Sequence, residues 1–355
     1  MKIGIITFHW GTNYGGVLQA YALQHFLSIN GFDVQIINFA PYTFRDSFLK
    51  CFYSKHPKVI VDNLKDYCKE NNINKFRKKH LQQTKRYFTP EQLMQNPPEM
   101  AIYISGSDQV WNPYGLKSNG KSYFLPFGSE KIVRISYAAS FGVTDYPNEL
   151  LEQIKPLLKK FKAISVREKS GLDILKQTGI NGACLMPDPT LLLSKQDYEN
   201  IIQDNITTCK SDFFFYVLQN NQNIIANVYN ALKQNKAKTI IHTGDFNNAI
   251  MGIENWLSNI QKASFVITNS FHGAVFSIIF NTPFLVVPIE GRLAGMNDRI
   301  VTLLEKFELQ DRIMWEYDDK KIFELLDKPV DWEKIKQIQV SLQNDAKEFF
   351  IQNIP

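Results

Sequence analysis

Short apolar runs alternate with a segment of helical periodicity along the first forty residues. Residues 2–7 and 34–39 are compact apolar runs of the kind that forms buried strands. Between them, apolar residues recur at helical spacing over 18–29, and Gly31 stands where the residue after a helix commonly lies. The pattern therefore predicts a βαβ unit with parallel strands, and hence a layered α/β domain.

The same alternation returns in two series farther along the chain. It predicts strands at 100–105, 133–140, 163–166, 213–218, 239–242, 265–268 and 284–287, and helices at 150–161, 168–178 and 332–352. The polar stretch 194–211 is predicted to connect the two series. We therefore expect a Rossmann-like domain over 1–194, a second one over 195–330 and a C-terminal helix over 331–355 that packs back. Two such domains facing each other would place a cleft at the carboxyl ends of both sheets.

Residues 41–98 interrupt this alternation with mixed charges and aromatics, weak strand signals and a closing pair of prolines. The composition predicts a mostly helical insertion into the first domain. Its basic cluster at 75–86 is typical of a solvated helix face. A second hypothesis places the same cluster against a membrane surface or a membrane-held acceptor, as a peripheral contact.

Composition and charge narrow the function classes. The length of 355 residues agrees with two domains, and 44% hydrophobic against 21% charged residues excludes a disordered chain. The net charge of +5 is too small over this length to indicate a nucleic-acid-binding protein, although it suits an anionic partner. The apolar stretch 275–289 is interrupted by polar residues and the N-terminus lacks a signal-peptide pattern, so we expect a cytoplasmic protein.

The cysteines carry no recognisable chemistry. Cys51, Cys68, Cys184 and Cys209 show neither a CxxC pair nor the Cys/His spacing of a zinc site. We therefore expect free thiols in a reducing compartment, with no metal and no cofactor.

In open α/β sheets the loops after the strands carry the ligand sites. The first loop, residues 8–16, does not read GxGxxG, and a dinucleotide fingerprint is unsupported. Gly15 and Gly16 allow close backbone approach to a ligand, and the following helix offers N–H groups for an anion. A tight strand-to-helix turn would explain the glycines but not the polar Asn13 and Tyr14, so ligand contact is predicted here.

The second loop brings a hydroxyl, a carboxylate and two amides together, from Ser107, Asp108, Gln109 and Asn112. These groups could hydrogen-bond sugar hydroxyls, with Trp111 as a stacking face. Asp108 could equally cap the next helix.

Two further loops carry arginines. Arg167 directly follows a predicted strand, where a guanidinium can grip a phosphate or a carboxylate; the alternative is a surface network with Glu168. The loop 290–299 is punctuated by glycines and ends at Arg299, a composition suited to a flap over an anionic ligand. The alternative is an exposed turn with Asp298 as helix N-cap.

The loop 269–273 (NSFHG) follows a predicted strand and opens a helix. His272 would lie in the first helical turn, where the helix dipole disfavours its charged form and leaves it available as a base. Ser270 and the helix N–H groups would form an anion site beside it. A lone histidine is more often structural, but serine, asparagine and glycine neighbours at a strand–helix junction favour a function.

Taken together, these loops resemble the polysaccharide pyruvyltransferase family. The matching stretches, in the family's order, are GTNYGGVLQAYAL (11–23), ISGSDQVWNP (104–113), SYAASFG (136–142), ISVREKSG (164–171), MPDPTLLL (186–193), TNSFHGAVFSIIF (268–280) and NDRI (297–300). The resemblance implies a glycosyltransferase-B-like pair of Rossmann-type domains. It also implies transfer of pyruvate from phosphoenolpyruvate to two hydroxyls of a sugar as a ketal, in capsule, exopolysaccharide or cell-wall glycan synthesis. The expected acceptor is a lipid-linked oligosaccharide.

The family's Arg-x-His-Gly motif, whose arginine and histidine lie at phosphoenolpyruvate, is only partly matched. Residues 270–273 read SFHG, so the histidine carries over and the arginine does not. Arg167, at the family's Ser-x-Arg position, and Arg299 are the candidates to supply the missing cation. Asp188, in the Asp-Pro-Thr match, fits a structural role near the domain junction as well as contact with the acceptor.

These arguments assign residues to three roles. Proton transfer is expected from His272, with Asp108 as the second candidate. Phosphoenolpyruvate binding, with this compound as co-substrate, is expected from Arg167, Arg299, Ser270, Asn269, Gly273, Gly15 and Gly16. Acceptor binding is expected from Asn13, Tyr14, Ser107, Gln109, Trp111 and Asn112.

Two rival functions remain open at the level of sequence. A nucleotide-sugar glycosyltransferase would share the fold, and Glu290 is its best candidate for a ribose contact. A non-catalytic partner in a polysaccharide operon is suggested by the missing arginine.

Overall fold

A computed structural model describes residues 1–40, 56–116, 119–202, 210–218, 223–235, 238–243 and 250–355. The chain divides into two compact units, each built on a parallel sheet. Unit 1 comprises Met1–Leu193 and Ser341–Pro355, and unit 2 comprises Ser194–Val340. Among the described residues, no helix combines the length and the apolarity needed to cross a membrane.

The elements follow the predicted alternation. The strands are β1 Lys2–Ile6, β2 Asp33–Ile36, β3 Ile102–Ser105, β4 Val133–Ala139, β5 Ala163–Val166, β6 Cys184–Leu185, β7 Ser211–Tyr216, β8 Ile240–His242, β9 Ala263–Thr268 and β10 Phe284–Val286. The described α-helices are α1 Tyr14–Ile29, α2 Pro57–His80, α3 Pro90–Gln95, α4 Pro113–Leu116, α5 Asn148–Leu158, α6 Lys169–Gln177, α7 Lys195–Ile202, α8 Asn223–Asn235, α9 Ile253–Lys262, α10 Phe271–Phe280, α11 Asn297–Lys306, α12 Asp319–Asp327 and α13 Trp332–Asn353.

The sheet of unit 1 has the strand order β2-β1-β3-β4-β5-β6, with every neighbouring pair parallel. Strand β1 is an interior strand, because Ile5 pairs with Ile36 on one side and with Ile104 on the other. Chain order reverses between β1 and β3, so their carboxyl ends form the switch point at which open α/β sheets bind ligands.

The sheet of unit 2 has the order β10-β9-β7-β8 and is also parallel. Phe213 and Phe215 of β7 belong to a buried cluster on one sheet face with Phe265 and Ile267 of β9. Chain order reverses between β7 and β9, which makes their carboxyl ends the switch point of this unit.

Helix α1 begins four residues earlier than the apolar periodicity alone predicts. The side chain of Asn13 caps it by accepting a hydrogen bond from the Gly16 backbone N–H at 3.2 Å. Gly15 and Gly16 consequently lie inside the first helical turn and are buried. The predicted turn therefore ends at Asn13.

The predicted insertion contains helices α2 and α3, while residues 41–55 lie outside the described part of the chain. Between the two helices the chain is extended beside β2. The Ile36 N–H donates to the Gln82 carbonyl at 2.9 Å, and the Tyr87 N–H donates to the Asn38 carbonyl at 2.8 Å. This extended stretch was missed because its charged residues hide any strand-like alternation.

The predicted connection at 194–211 instead begins with helix α7. Tyr198, Ile201 and Ile202 are buried, and the Tyr198 ring packs edge-on against Phe276 at 4.9 Å. Their i, i+3 and i+4 spacing is helical, but the other five residues of the helix are polar or charged and obscure it in the sequence. Residues 203–209 of the connection lie outside the described part.

The end of helix α13 packs back on unit 1, as predicted. Residues from Ser341 onward belong to this unit. The Phe350 ring stacks on Tyr137 of β4 with ring centroids 4.8 Å apart, and it lies 6.1 Å from the Phe26 ring of α1. Aromatic contacts of this kind add to the energy of apolar burial, so the C-terminus is part of the unit 1 core.

Candidate active site

The junction of β9 and α10 in unit 2 has the geometry of an anion site. Ser270 is the N-cap of α10, and its hydroxyl oxygen accepts a hydrogen bond from the Gly273 N–H. Gly273 packs so closely on Thr268 that a Cβ at this position would stand 2.3 Å from the Thr268 Oγ1 atom. The glycine therefore brings the first turn of α10 down onto the strand end, where its N–H groups and helix dipole favour an anion.

Side chains at this junction also tie β9 to β7. The Asn269 Oδ1 atom accepts a hydrogen bond from the Leu218 N–H at 2.8 Å. The Thr268 hydroxyl donates to the Tyr216 carbonyl at 2.7 Å. Burial raises the pKa of Tyr216, and a hydrogen bond with Ser270 partly offsets that rise. Asn269 and Ser270 are thus held at the switch point of unit 2.

His272 lies in the first turn of α10, and its side chain is almost fully buried. Its imidazole ring lies edge-on to the ring of Phe271, with centroids 5.1 Å apart. The prediction of a histidine in a first helical turn is therefore confirmed, while its role in proton transfer stays a prediction.

Arg299 of α11 approaches the same turn from the neighbouring helix. Its guanidinium carbon lies 5.7 Å from the centre of the Phe271 ring, a cation–π distance. Its Nε atom donates to the Met296 carbonyl at 3.3 Å. In unit 2 the Arg299 guanidinium and the His272 imidazole therefore both lie close to the ring of one phenylalanine, Phe271.

The loop leading to Arg299 differs from the alternative of an exposed turn with Asp298 as N-cap, while its role as a flap over an anionic ligand stays a prediction. Asn297 is buried, and its side-chain amide accepts from the Ile289 N–H at 2.9 Å and donates to the Ile289 carbonyl at 2.7 Å. Met296, not Asp298, is the N-cap residue of α11. The loop is thus closed by a buried amide rather than being an exposed turn capped by an aspartate.

At the switch point of unit 1, Asp108 faces the first turn of α1. Its backbone has φ of +68°, in the left-handed region that aspartate tolerates better than most residues. Its Oδ2 atom would lie 3.1 Å from a Cβ built on Gly16, so the glycine makes room for the carboxylate. The Asp108 Oδ1 atom also accepts from the Gln109 N–H at 2.9 Å. The helix end that was predicted to bind phosphate therefore has a carboxylate of the protein against it.

Arg167 is buried between two carboxylates. Its Nη1 atom lies 2.5 Å from the Asp188 Oδ2 atom, and its Nη2 atom lies 3.6 Å from the Asp108 Oδ1 atom. Burial lowers the pKa of Arg167, but the charges of Asp188 and Asp108 outweigh it, so the pKa is raised. These contacts give Arg167 a positioning role. Its binding of phosphoenolpyruvate stays a prediction, and the alternative of a surface network is wrong because Arg167 and Glu168 are both buried.

Glu168 and Asp188 bind backbone and hydroxyl groups of unit 1. The Glu168 carboxylate accepts from the N–H groups of Phe141 and Gly142 at 2.7 and 3.2 Å. Asp188 accepts from the Thr190 hydroxyl at 2.6 Å and from the Thr190 N–H at 3.0 Å. For Asp188, this geometry favours the structural interpretation.

The expectation of a stacking face on Trp111 is wrong. Its side chain has no exposed surface and stacks on Phe124 at 5.1 Å inside the unit 1 core, with its indole N–H donating to the Tyr123 carbonyl. The sequence pattern misled because a tryptophan among polar residues resembles a surface residue. Ser107 is also fully buried and donates to Asp188 at 3.1 Å.

The other predicted acceptor residues occupy more open positions. Gln109 and Asn112 are half-buried and hydrogen-bonded to each other at 3.3 Å. Asn13 is exposed at the start of α1, and Tyr14 is buried under the Lys69 ammonium, which lies 4.3 Å from the ring centre.

The predicted residues thus form two clusters, one at each switch point. The unit 2 cluster contains Asn269, Ser270, His272, Gly273 and Arg299. The unit 1 cluster contains Gly16, Ser107, Asp108 and Arg167, joined by Asp188. In the described part of the chain, no three His, Cys, Asp or Glu side chains come close enough to hold a metal ion. The sequence did not predict that Thr268 holds the strand end at this junction. The signal for it was a threonine at the end of an apolar strand, directly before the Asn-Ser pair.

Comparisons with known proteins agree with this architecture. The UDP-GlcNAc 2-epimerase from Neisseria meningitidis bound to UDP-GlcNAc aligns with a TM-score of 0.54 at 9% identity, over 99% of this chain and 100% of that one. The UDP-GlcNAc 2-epimerase from Methanocaldococcus jannaschii aligns with a TM-score of 0.54 at 12% identity, over the same 99% and 100%. These likenesses confirm the fold class, an α/β chain with two Rossmann-like domains of the glycosyltransferase-B type.

Sequence comparisons identify the family. A search of curated protein sequences found no match. A family profile described as polysaccharide pyruvyl transferase matches residues 13–291, which include Asp108, Arg167 and His272. Because the profile spans well over half of the chain, the protein belongs to the polysaccharide pyruvyl transferase family, and is a transferase of polysaccharide biosynthesis.

Proposed function

We propose that the protein transfers the pyruvyl group of phosphoenolpyruvate to two hydroxyls of a sugar, forming a pyruvate ketal and releasing phosphate. The acceptor would be a lipid-linked oligosaccharide of capsule, exopolysaccharide or cell-wall glycan synthesis. The observation that carries the proposal is that His272 and Arg299 both lie against Phe271, in the first turn of α10. This placement provides a proton-transfer group beside fixed positive charge.

The reaction needs both features. A proton is added to the methylene carbon of phosphoenolpyruvate, which becomes a methyl group, and the cationic centre left at C2 is attacked by one sugar hydroxyl. Loss of phosphate and attack by a second hydroxyl then close the ketal. The two sugar hydroxyls release two protons. One replaces the proton that was added to the methylene carbon, and the other leaves with the phosphate. We assign proton transfer to His272, because a side chain in reach of the reacting atoms contributes general acid–base catalysis.

Charge stabilisation is assigned to Arg299 and the start of α10. The family motif has an arginine where this chain has Ser270. Arg299 supplies a guanidinium to the same helical turn from α11, so the lost cation is replaced by a residue close in space rather than in sequence. The Ser270 and Asn269 side chains and the α10 N–H groups would complete the contacts to carboxylate and phosphate.

The test is turnover of phosphoenolpyruvate with a lipid-linked oligosaccharide fraction. We expect phosphate release together with a product whose mass has gained one pyruvate less one water. For His272→Asn, ketal formation should fall by about 10²–10⁴-fold, the range of general acid–base catalysis. For Arg299→Gln, the KM for phosphoenolpyruvate should rise about tenfold or more, the usual loss for a charged hydrogen bond.

Lys306→Gln is the matched control, because Lys306 is an exposed cation on the same helix as Arg299. It should leave both parameters unchanged. Near-normal ketal formation by His272→Asn would contradict the assignment of proton transfer. Turnover of a UDP- or GDP-sugar, with no phosphate released from phosphoenolpyruvate, would contradict the reaction itself and favour a glycosyltransferase.

A further inference from the structure

Asn297 begins helix α11 two residues before Arg299, and the proposed reaction does not use it. Its side chain is almost fully buried, and its amide accepts from the Ile289 N–H at 2.9 Å and donates to the Ile289 carbonyl at 2.7 Å. One asparagine side chain therefore satisfies both backbone polar groups of one buried residue. We call these two hydrogen bonds the Asn297 clamp.

The Asn297 clamp joins the start of α11 to the end of strand β10. This strand ends at Val286, and the next N–H, that of Val287, donates to the Thr268 carbonyl at the end of β9 at 2.9 Å. Ile289 follows two residues later. Because α10 begins just after Thr268, the clamp fixes the start of α11 relative to the strand end from which α10 begins.

The start of α11 is not tied down by its own N-cap residue. Met296 occupies the cap position and forms no side-chain capping hydrogen bond. A methionine has no strong acceptor to offer to the first N–H groups of a helix, which a serine, threonine or asparagine at this position would supply. The Asn297 clamp therefore provides side-chain support that the cap residue does not.

Arg299 lies in the same first turn of α11. Its guanidinium carbon is 5.7 Å from the centre of the Phe271 ring, and its Nε atom donates to the Met296 carbonyl at 3.3 Å. A helical turn moves as one body, so a shift of the start of α11 would also move this guanidinium relative to α10. Such shifts matter, because misplacing a binding group by about 1 Å can cost on the order of 10²-fold in rate.

A buried side chain of this kind also stabilises the fold, and a second residue of unit 2 makes that contribution alone. The Thr282 hydroxyl donates to the Ile260 carbonyl at 3.0 Å, and Thr282 is also buried. It lies just beyond the C-terminal end of α10, at the opposite end of that helix from His272. Its loss should destabilise unit 2 without displacing Arg299.

We propose that Asn297 is a positioning residue of the active site. Through its clamp on Ile289, it holds α11 so that the Arg299 guanidinium reaches the anionic groups of phosphoenolpyruvate at the first turn of α10. The proposal rests on the proposed function, since it takes Arg299 as the cation that binds this substrate.

Kinetics with phosphoenolpyruvate test the proposal in two variants. Asn297→Leu has a similar volume and forms neither hydrogen bond, whereas Asn297→Asp keeps the acceptor and so retains one bond if the leucine variant fails to fold. Both should raise the KM for phosphoenolpyruvate about tenfold or more, the usual loss for a charged hydrogen bond, with a smaller change in kcat. A raised KM in Asn297→Asp alone would be an effect of its added charge and would overturn the proposal.

Thr282→Val is the matched control. It should lower the melting temperature of unit 2 and leave the KM for phosphoenolpyruvate unchanged. An equal rise in KM for Thr282→Val and Asn297→Leu would show that general destabilisation causes both, and would overturn the positioning role.

A double-mutant cycle shows whether Asn297 acts through Arg299. In Arg299→Gln the group that the clamp positions is already lost. Adding Asn297→Leu should therefore change the KM of that variant by less than about twofold, the limit within which independent effects are resolved. If the two effects multiplied in full, Asn297 would act independently of Arg299 and the proposal would be wrong.

A readout without turnover separates this proposal from the proposed function. Phenylglyoxal modifies arginine side chains, and mass spectrometry of the peptide that contains Arg299 reports its rate. Arg299 is almost fully buried, so it should react slowly, and about tenfold faster in Asn297→Leu, since loss of a buried hydrogen bond favours the open form by about that factor. Thr282→Val should leave the rate unchanged.

The two readouts fail in different ways. Faster labelling of Arg299 in Asn297→Leu, in a protein that does not turn over phosphoenolpyruvate, would support the positioning role and contradict the reaction. An unchanged labelling rate and a normal KM in Asn297→Leu, together with a raised KM in Arg299→Gln, would support the reaction and overturn the positioning role.

Discussion

Replacing Arg167 by methionine would remove the cation that compensates two buried carboxylates. Side-chain exposure is 2% for Arg167, 0% for Asp188 and 6% for Asp108, so water solvates none of these charges well. In Arg167→Met, Asp188 would keep its hydrogen bonds from Thr190 but lose the partner at 2.5 Å. The methionine fills much of the same volume, so the cost is mainly electrostatic.

The expected magnitude follows from this burial. Removing one partner of a buried ion pair costs about 3–5 kcal/mol, because the remaining charge is left without compensation. With a urea dependence of about 1–3 kcal/mol per molar, the unfolding midpoint of unit 1 should fall by roughly 1–5 M. The double variant Arg167→Met/Asp188→Asn should recover part of the loss, because the uncompensated carboxylate becomes a neutral amide that can still accept from Thr190.

Urea unfolding followed by circular dichroism and tryptophan fluorescence measures the effect. Lys160→Met is the matched control, since Lys160 also forms an ion pair, 2.8 Å from Glu130, but on the exposed surface. Surface pairs contribute little, so its midpoint should stay unchanged. An unchanged midpoint for Arg167→Met, combined with a raised KM for phosphoenolpyruvate, would refute the structural reasoning and place Arg167 at the substrate.

Two further predictions concern packing and pH. Gly273→Ala should lower the melting temperature of unit 2, because the new Cβ would stand 2.3 Å from the Thr268 Oγ1 atom and overpacking costs about 1–3 kcal/mol. Gly182→Ala is the control: no atom lies within 4 Å of its new Cβ, so the melting temperature should stay unchanged. Burial lowers the pKa of His9 from 6.5 to about 4 in the folded protein. As pH falls, the unfolded chain therefore binds a proton on this histidine before the folded chain does. The free energy of unfolding should consequently decrease by about 3 kcal/mol between pH 6.5 and 4. His9→Gln should show a shallower loss over that range, and identical pH profiles of the two proteins would contradict the assignment.

The layered fold was predictable because each strand is a short apolar run that needs no distant information. The run at 163–166 became β5 with the predicted bounds, and the periodicity after position 18 became α1. Helix α7 was missed because three apolar residues carry its buried face while the other positions are polar. Its partner Phe276 lies far along the chain, so nothing local distinguishes this helix from a linker.

The site was predictable as a set of loops but not as a set of contacts. Parallel sheets gather the loops after their strands at one edge, which is why Asp108 and Arg167 could both be selected from sequence. Whether an arginine meets a substrate or another side chain depends on residues such as Asp188, 21 positions away, whose charge reaches it only in the fold. The same limit explains Arg77, which looked like one cation of a solvated helix face and is instead buried against the first loop.

The two switch points differ in the charge that the protein itself places at the helix end, and this difference bears on where each substrate of the proposed reaction would bind. In unit 1 the Asp108 carboxylate already faces the first turn of α1, so a phosphate there would meet a like charge. In unit 2 the first turn of α10 has the Arg299 guanidinium beside it, 5.7 Å from the Phe271 ring. Electrostatics therefore favours phosphoenolpyruvate at α10. Under the proposed function, unit 1 would then receive the acceptor near the Asn13 end of α1, because sugar hydroxyls can donate to a carboxylate such as Asp108.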